Sequence, residues 1–229
     1  MTKIKICGIT NLNDALTAVN LGADALGFVF YPQSLRAITP DKAKKIRRKI
    51  PPFTLCIGVF VNAKKDEALQ IARECRLDGL QFHGNESPEY CSSFSAYKVI
   101  KSFALKTRSD LKSITHYNVH AILIDAYDPA HHGGTGKKAD WELAIEAKSF
   151  GPLILAGGLS ESNVHEAIKI LTPYAVDVSS SVEKRPGVKD TVKMRRFVEM
   201  VRVRDSSYQC MSKKNHIMKG TCHDTTTAG

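Results

Sequence analysis

The sequence has no run approaching the ~18 uninterrupted apolar residues of a membrane span, and its first residues, MTKIKICGIT, lack the apolar core of a secretory leader. Both absences point to a soluble, cytoplasmic protein without a membrane partner. Cysteine is sparse: six residues (Cys7, Cys56, Cys75, Cys91, Cys210 and Cys222) lie without CxxC or Cys/His spacing, which argues against a disulfide framework and a zinc site. The pair His131-His132 has no evident third ligand, so no metal is expected. Aromatics are few, with a single Trp141 beside Asp140 that reads as packing at a helix start, and no RNA-recognition signature is present. Nucleic acid is therefore not expected as a partner, despite the formal charge of +10. That charge favours anionic partners, phosphorylated metabolites or nucleic acid, and does not by itself choose between them.

Two phosphate-loop signatures are also missing. The first strand runs into Cys7-Gly8-Ile9-Thr10, not GxGxxG, which disfavours a dinucleotide-binding sheet. The stretch Gly133-Gly134-Thr135-Gly136-Lys137 is followed by Lys138 where a Walker A loop needs Ser or Thr, which disfavours an ATPase.

What the sequence does contain is alternation. Short β-rich runs occur at Lys3 to Cys7, Ala25 to Phe30, Leu55 to Val61, Gly79 to Phe82, Lys98 to Ile100, Ala121 to Asp125, Leu153 to Ala156 and Ala175 to Ser179. Between them fall helical periods such as Leu12, Ala15, Leu16 and Val19, then Ala43, Ile46 and Ile50, then Val164, Ala167, Ile168 and Leu171, and lastly Met194, Phe197, Val198 and Val201. Thr39 before Pro40, and Ser160 before Glu161, read as start signals. Weaker helical signals lie at Ser87 to Phe94 and Asp110 to Thr115. Eight βα units in 229 residues predict the α/β class and a single (β/α)8 TIM barrel over residues 1–204, with an open doubly wound sheet as the alternative. Residues 205–229 are polar and aperiodic and read as a short disordered C-terminal tail.

Strand parity then selects residues. Side chains alternate across a strand, so if Ile4 and Ile6 face the helices, Lys5 and Cys7 face the barrel interior. The same rule turns Gln81 and His83, Asp125, and Asp177 and Ser179 inward at the C-terminal ends of their strands, where active sites of this fold are built. Taken singly, Cys7 reads as a small buried residue and Lys5 as a counter-ion to Asp177. Together on one face they point to a site. Gly157-Gly158 and Ser179-Ser180-Ser181, after the seventh and eighth strands, suit a phosphate held by backbone N–H groups.

Seven stretches occur in order: Lys5-Ile-Cys-Gly-Ile-Thr10, Gly27-Phe-Val-Phe-Tyr-Pro32 followed by Ser34 and Arg36, Gly58-Val-Phe-Val-Asn62, Gln81-Phe-His-Gly84, Gly133-Gly-Thr-Gly-Lys137 with Asp140-Trp141, Ala156-Gly-Gly-Leu159, and Val176-Asp-Val-Ser-Ser180. With these the chain closely resembles the phosphoribosylanthranilate isomerase family over about residues 1–203. The resemblance implies a (β/α)8 barrel, monomeric or homodimeric, that performs an Amadori rearrangement in tryptophan biosynthesis without a cofactor. It implies Cys7 as general base, Asp125 as general acid and Arg36 as the holder of the substrate carboxylate, with His83, Gly157, Gly158, Ser179, Ser180 and Ser181 among the substrate-binding residues.

At reference values (~3.9 for a carboxyl, ~8.5 for a thiol) both proton-transfer groups stand mostly in the wrong form at neutral pH. The site is therefore expected to shift both, with Lys5 the candidate for drawing the thiol down. The chain departs from the family pattern at Ser181, where the family usually has glycine, and in its tail. If Ser181 sits at positive φ, a conformational cost follows; if not, its hydroxyl is a candidate phosphate donor. Two other functions compete: an isomerase of another aminated sugar phosphate, such as that of histidine biosynthesis, and a catalytically silent phosphate-binding barrel.

Overall fold

Eight parallel strands close on themselves, because β1 (Lys3–Cys7) pairs with β2 (Ala25–Val29) on one side and with β8 (Ala175–Val178) on the other. The intervening strands are β3 (Leu55–Phe60), β4 (Gly79–Phe82), β5 (Lys98–Phe103), β6 (Ala121–Asp125) and β7 (Leu153–Ala156), each hydrogen-bonded to its neighbours in sequence. This is a computed structural model; it describes residues 1–105, 107–125 and 138–203, with the backbone alone for 138–141. The glycine-rich stretch 133–137, His131-His132, the side chain of Trp141 and the tail 205–229 lie outside what is described. The closed ring excludes the open doubly wound sheet.

The outer layer is α1 (Leu12–Asn20), α2 (Pro40–Arg47), α3 (Lys65–Cys75), α4 (Pro88–Ser92), α5 (Arg108–Ile114), α6 (Lys138–Ala147), α7 (Val164–Leu171) and α8 over residues 191–203. The weak signals become the two short helices α4 and α5. Thr39 caps α2, its hydroxyl accepting from the Lys42 N–H, with Pro40 at the first helical position, where its missing N–H costs nothing. Ser160 opens only a turn over 161–163; α7 starts after it, with Asn163 at the cap position.

Alternation divides the strand residues between two cores. Ile4, Ile6, Leu26, Phe28, Phe60, Leu80, Phe82, Ile122 and Ile124 face the helices, where Phe60, Phe82 and Phe94 form a run of ring contacts. Ile57, Ile100, Ala121, Leu123, Ile154, Ala156 and Ala175 fill the barrel's own interior. The barrel is thus a packed core, with a cavity at the C-terminal ends of its strands.

Burial in the outer layer has a pH consequence. It pushes the Cys56 thiol up to about 12, and those of Cys75 and Cys91 to about 11, from an ordinary 9.0. The folded protein keeps protons that the unfolded chain releases near pH ~9, so this contribution to stability is full below that pH and is lost as pH rises towards the folded values. Thermal unfolding midpoints should fall as the pH is raised beyond ~9. Midpoints that stay level up to pH ~11 would contradict it.

Candidate active site

The strand ends and the loops after them surround one cavity of about 400 Å³ at the mouth of the barrel. Every site residue expected from the sequence lines it: Cys7, Arg36, His83, Asp125, Gly157, Gly158, Ser179, Ser180 and Ser181. Val29, Val59 and Tyr31 pack beside Cys7 and give the mouth an apolar wall.

Cys7 ends β1 directly opposite Gly27 of β2. A Cβ on Gly27 would stand 2.6 Å from Cys7 Sγ and 3.0 Å from its Cα, so glycine there makes room for the sulfur. Beneath it, Lys5 Nζ donates to Asp177 Oδ2 at 2.8 Å, with both side chains buried. Burial alone would lower the Lys5 ammonium, but Asp177 and Cys7 outweigh it and hold it above the usual lysine range. For Cys7, burial pushes the thiol up, and it does so more strongly than Lys5 and Lys189 draw it down. Lys5 does draw the thiol down as expected, but the expectation of a net lowering is corrected, because burial outweighs it. Asp177, the ion-pair partner of Lys5, adds to the rise with its own charge.

On the opposite side, the Gln81 amide lies 3.1 Å from His83 Nδ1. With that amide donating, the imidazole proton sits on Nε2, which faces Asp125 Oδ2 at 3.7 Å. Gln81 Oε1 and Asp177 Oδ1, both on residues lining the cavity, are buried with no hydrogen-bond partner among the described residues.

After β7, Gly157 and Gly158 take φ of +78° and +61°, which L side chains rarely adopt. Asn163 braces this turn, accepting from the Ser160 N–H at 2.8 Å and donating to the Gly158 carbonyl at 3.0 Å. After β8, Ser180–Val182 form a single 3-10 turn. Ser181 is not among the residues with positive φ, and its hydroxyl donates to the Leu159 carbonyl. This corrects the strained-backbone expectation, and the hydroxyl is already used within the protein. It ties the loop after β8 to the loop after β7, so Ser181→Gly should weaken binding of inorganic phosphate by roughly fivefold, the worth of one such bond of ~1 kcal/mol. Tighter binding by the glycine variant would sink this.

Two features escaped the sequence reading. Residues after β8 form a hairpin, β9 (Glu183–Arg185) with β10 (Val188–Lys189), turning at Pro186-Gly187 with Gly187 at φ +77°. The Pro-Gly dipeptide was the available signal. In addition Arg36 is already paired with Glu183 of this hairpin, Nε to Oε1 at 2.9 Å and Nη2 to Oε2 at 2.8 Å. Among the described residues, no group of three His, Cys, Asp or Glu side chains is placed to hold a metal ion. No helix among them is long and apolar enough to cross a membrane.

Comparison with known proteins agrees with this geometry. The sequence model of the family described as N-(5'phosphoribosyl)anthranilate (PRA) isomerase matches residues 4–200. The N-(5'-phosphoribosyl)anthranilate isomerase of Geobacter sulfurreducens is 51% identical over 198 residues, 86% of this chain and 97% of that protein. The crystal structure of phosphoribosyl anthranilate isomerase from Thermotoga maritima aligns with a TM-score of 0.81 at 41% identity, covering 88% of this chain and 99% of that one. A further crystal structure, of a phosphoribosyl anthranilate isomerase in complex with reduced 1-(o-carboxyphenylamino)-1-deoxyribulose 5-phosphate, aligns at 0.80 and 39% identity, with the same coverage.

Proposed function

The chain belongs to the N-(5'-phosphoribosyl)anthranilate isomerase family, and on that premise we propose that Cys7 is the general base and Asp125 the general acid of its reaction. The enzyme converts N-(5-phosphoribosyl)anthranilate to 1-(2-carboxyphenylamino)-1-deoxyribulose 5-phosphate in tryptophan biosynthesis. Asp125, at the end of β6, gives a proton to the ribose ring oxygen as the bond from carbon 1 to that oxygen breaks and the ring opens to a protonated imine. The imine acidifies carbon 2, and Cys7, at the end of β1, takes the proton from that carbon. The enol so formed tautomerises to the ketone as carbon 1 gains a proton. One acid and one base on separate strands are sufficient for this sequence.

The observation that carries this reading is the convergence of Cys7, Asp125 and Arg36 on one cavity with the two Gly- and Ser-rich loops. Arg36 meets the anthranilate carboxylate, and His83 contacts the substrate beside Asp125. The backbone N–H groups around Gly157-Gly158 and Ser179–Ser181 hold the phosphate. No cofactor enters the scheme. Each named residue comes from a single chain, so a monomer or a homodimer serves equally, and we place the enzyme in the cytoplasm with its soluble phosphorylated substrate.

The test is genetic. Expression in a bacterial strain whose only lesion removes this isomerase should restore growth without tryptophan. Failure of a soluble, folded protein to do so, while a characterised isomerase succeeds, would overturn the assignment.

A further inference from the structure

Arg36 belongs to a chain of charges that crosses the site. Its guanidinium forks side-on onto Glu183, and Lys189 Nζ donates to the same carboxylate at 2.9 Å and to the Ser179 carbonyl at 3.1 Å. The Glu183 and Lys189 side chains are almost wholly buried, at 4% and 0% exposure, whereas that of Arg36 is 25% exposed and lines the cavity. The Arg36 stem lies over Gly8, where a Cβ would stand 2.7 Å from Cδ. Side-on pairing uses Nε and one Nη2 hydrogen. The end-on edge, formed by Nη1 and the second Nη2 hydrogen, has no acceptor among the described residues. Two cations share one anion, and the surplus positive charge is of the size that one carboxylate neutralises.

We propose that Glu183 and Lys189 are positioning residues that fix the Arg36 guanidinium end-on to the substrate carboxylate and tie that receptor to the loop on the phosphate side. The inference rests on the reading of Arg36 given above. An arginine without such a partner samples many rotamers, and each must be given up when a ligand is held. Here Glu183 has already selected one. The Ser179 carbonyl, held by Lys189, sets the spacing between the carboxylate receptor and the 179–181 loop, so the two anionic ends of one ligand are read at a fixed separation. Glu183 is itself held: burial alone would raise its carboxyl, but Arg36 and Lys189 together bring it below the usual carboxylate range. The Gly187 N–H and the Lys193 ammonium fasten the hairpin around it.

The experiment compares two ligands, reduced 1-(2-carboxyphenylamino)-1-deoxyribulose 5-phosphate and the same compound without its carboxylate. Glu183→Gln should weaken the first by ~10–100-fold, the range for a lost hydrogen bond to a charged group, and the second by no more than about threefold. In turnover, KM should rise while kcat stays within about threefold. In an Arg36→Met background Glu183→Gln should add little, because it acts through that arginine. Equal losses for both ligands, or additive losses in the double variant, would overturn the inference and leave Glu183 a purely structural residue. If Arg36→Met itself fails to discriminate between the ligands, the reading of Arg36 falls, and this inference with it. If Arg36→Met discriminates and Glu183→Gln does not, only the inference falls. Should Glu183→Gln not fold because Lys189 has lost its anion, Glu183→Gln with Lys189→Met removes both charges and carries the same expectation.

Discussion

Replacing Cys7 by serine, or Asp125 by asparagine, is expected to lower turnover by ~10²–10⁴-fold or more while affinity for a product analogue stays within a few-fold. Both changes nearly preserve shape. The serine hydroxyl fits the space opened by Gly27 but does not ionise in the working pH range, and the asparagine amide has no proton to give the ring oxygen. Near-normal turnover in either variant, measured under single-turnover conditions, would remove that residue from its assigned role.

The second large effect lies outside the cavity, behind β4 and β5. Lys101 and Glu86 form an ion pair at 3.3 Å with side chains 3% and 2% exposed. Lys101 also donates to the carbonyls of Gly84 at 2.8 Å and Ser102 at 3.0 Å, while Glu86 accepts from the backbone N–H groups of Asn62 at 2.8 Å and Gly84 at 2.9 Å. Together they clamp the turn that carries His83. Lys101→Met should cost about 3–5 kcal/mol of folding stability, because it leaves the Glu86 charge buried without its cation. Adding Glu86→Gln should return part of that loss. Urea unfolding of the three proteins measures both; a loss below ~1 kcal/mol for Lys101→Met would show that the pair contributes little.

Much of this site was legible because it depends on strand parity and on position along the strand. Both follow from local sequence. Ile4 and Ile6 facing outward force Lys5 and Cys7 inward, and the same reasoning places Gln81, His83, Asp125 and Asp177 at one end of one barrel. What parity does not deliver is the partner of a charge. Lys101 lies on the strand face turned to the helices, where the pattern expects an apolar residue, and only the turn after β4 supplies Glu86. Arg36 reads as a free two-pronged donor until the hairpin after β8 brings Glu183 to it from 147 positions away. The Cys7 expectation failed for a related reason. Lys5, two residues away, does draw the thiol down, but burial raises it by more, and Asp177, 172 positions further along the chain from Lys5, adds to the rise. Ser181 is similar, since its hydroxyl partner is a carbonyl in another loop.

The most direct measurement of the central claim is optical. N-(5-phosphoribosyl)anthranilate, generated in the cuvette, is fluorescent, and its rearranged product lacks that emission. Adding the purified protein should quench the signal at a rate proportional to enzyme, without release of anthranilate, and the Asp125→Asn variant should leave the signal close to its uncatalysed course. Emission that persists with folded wild-type protein, or that decays only by liberation of anthranilate, would contradict an isomerase.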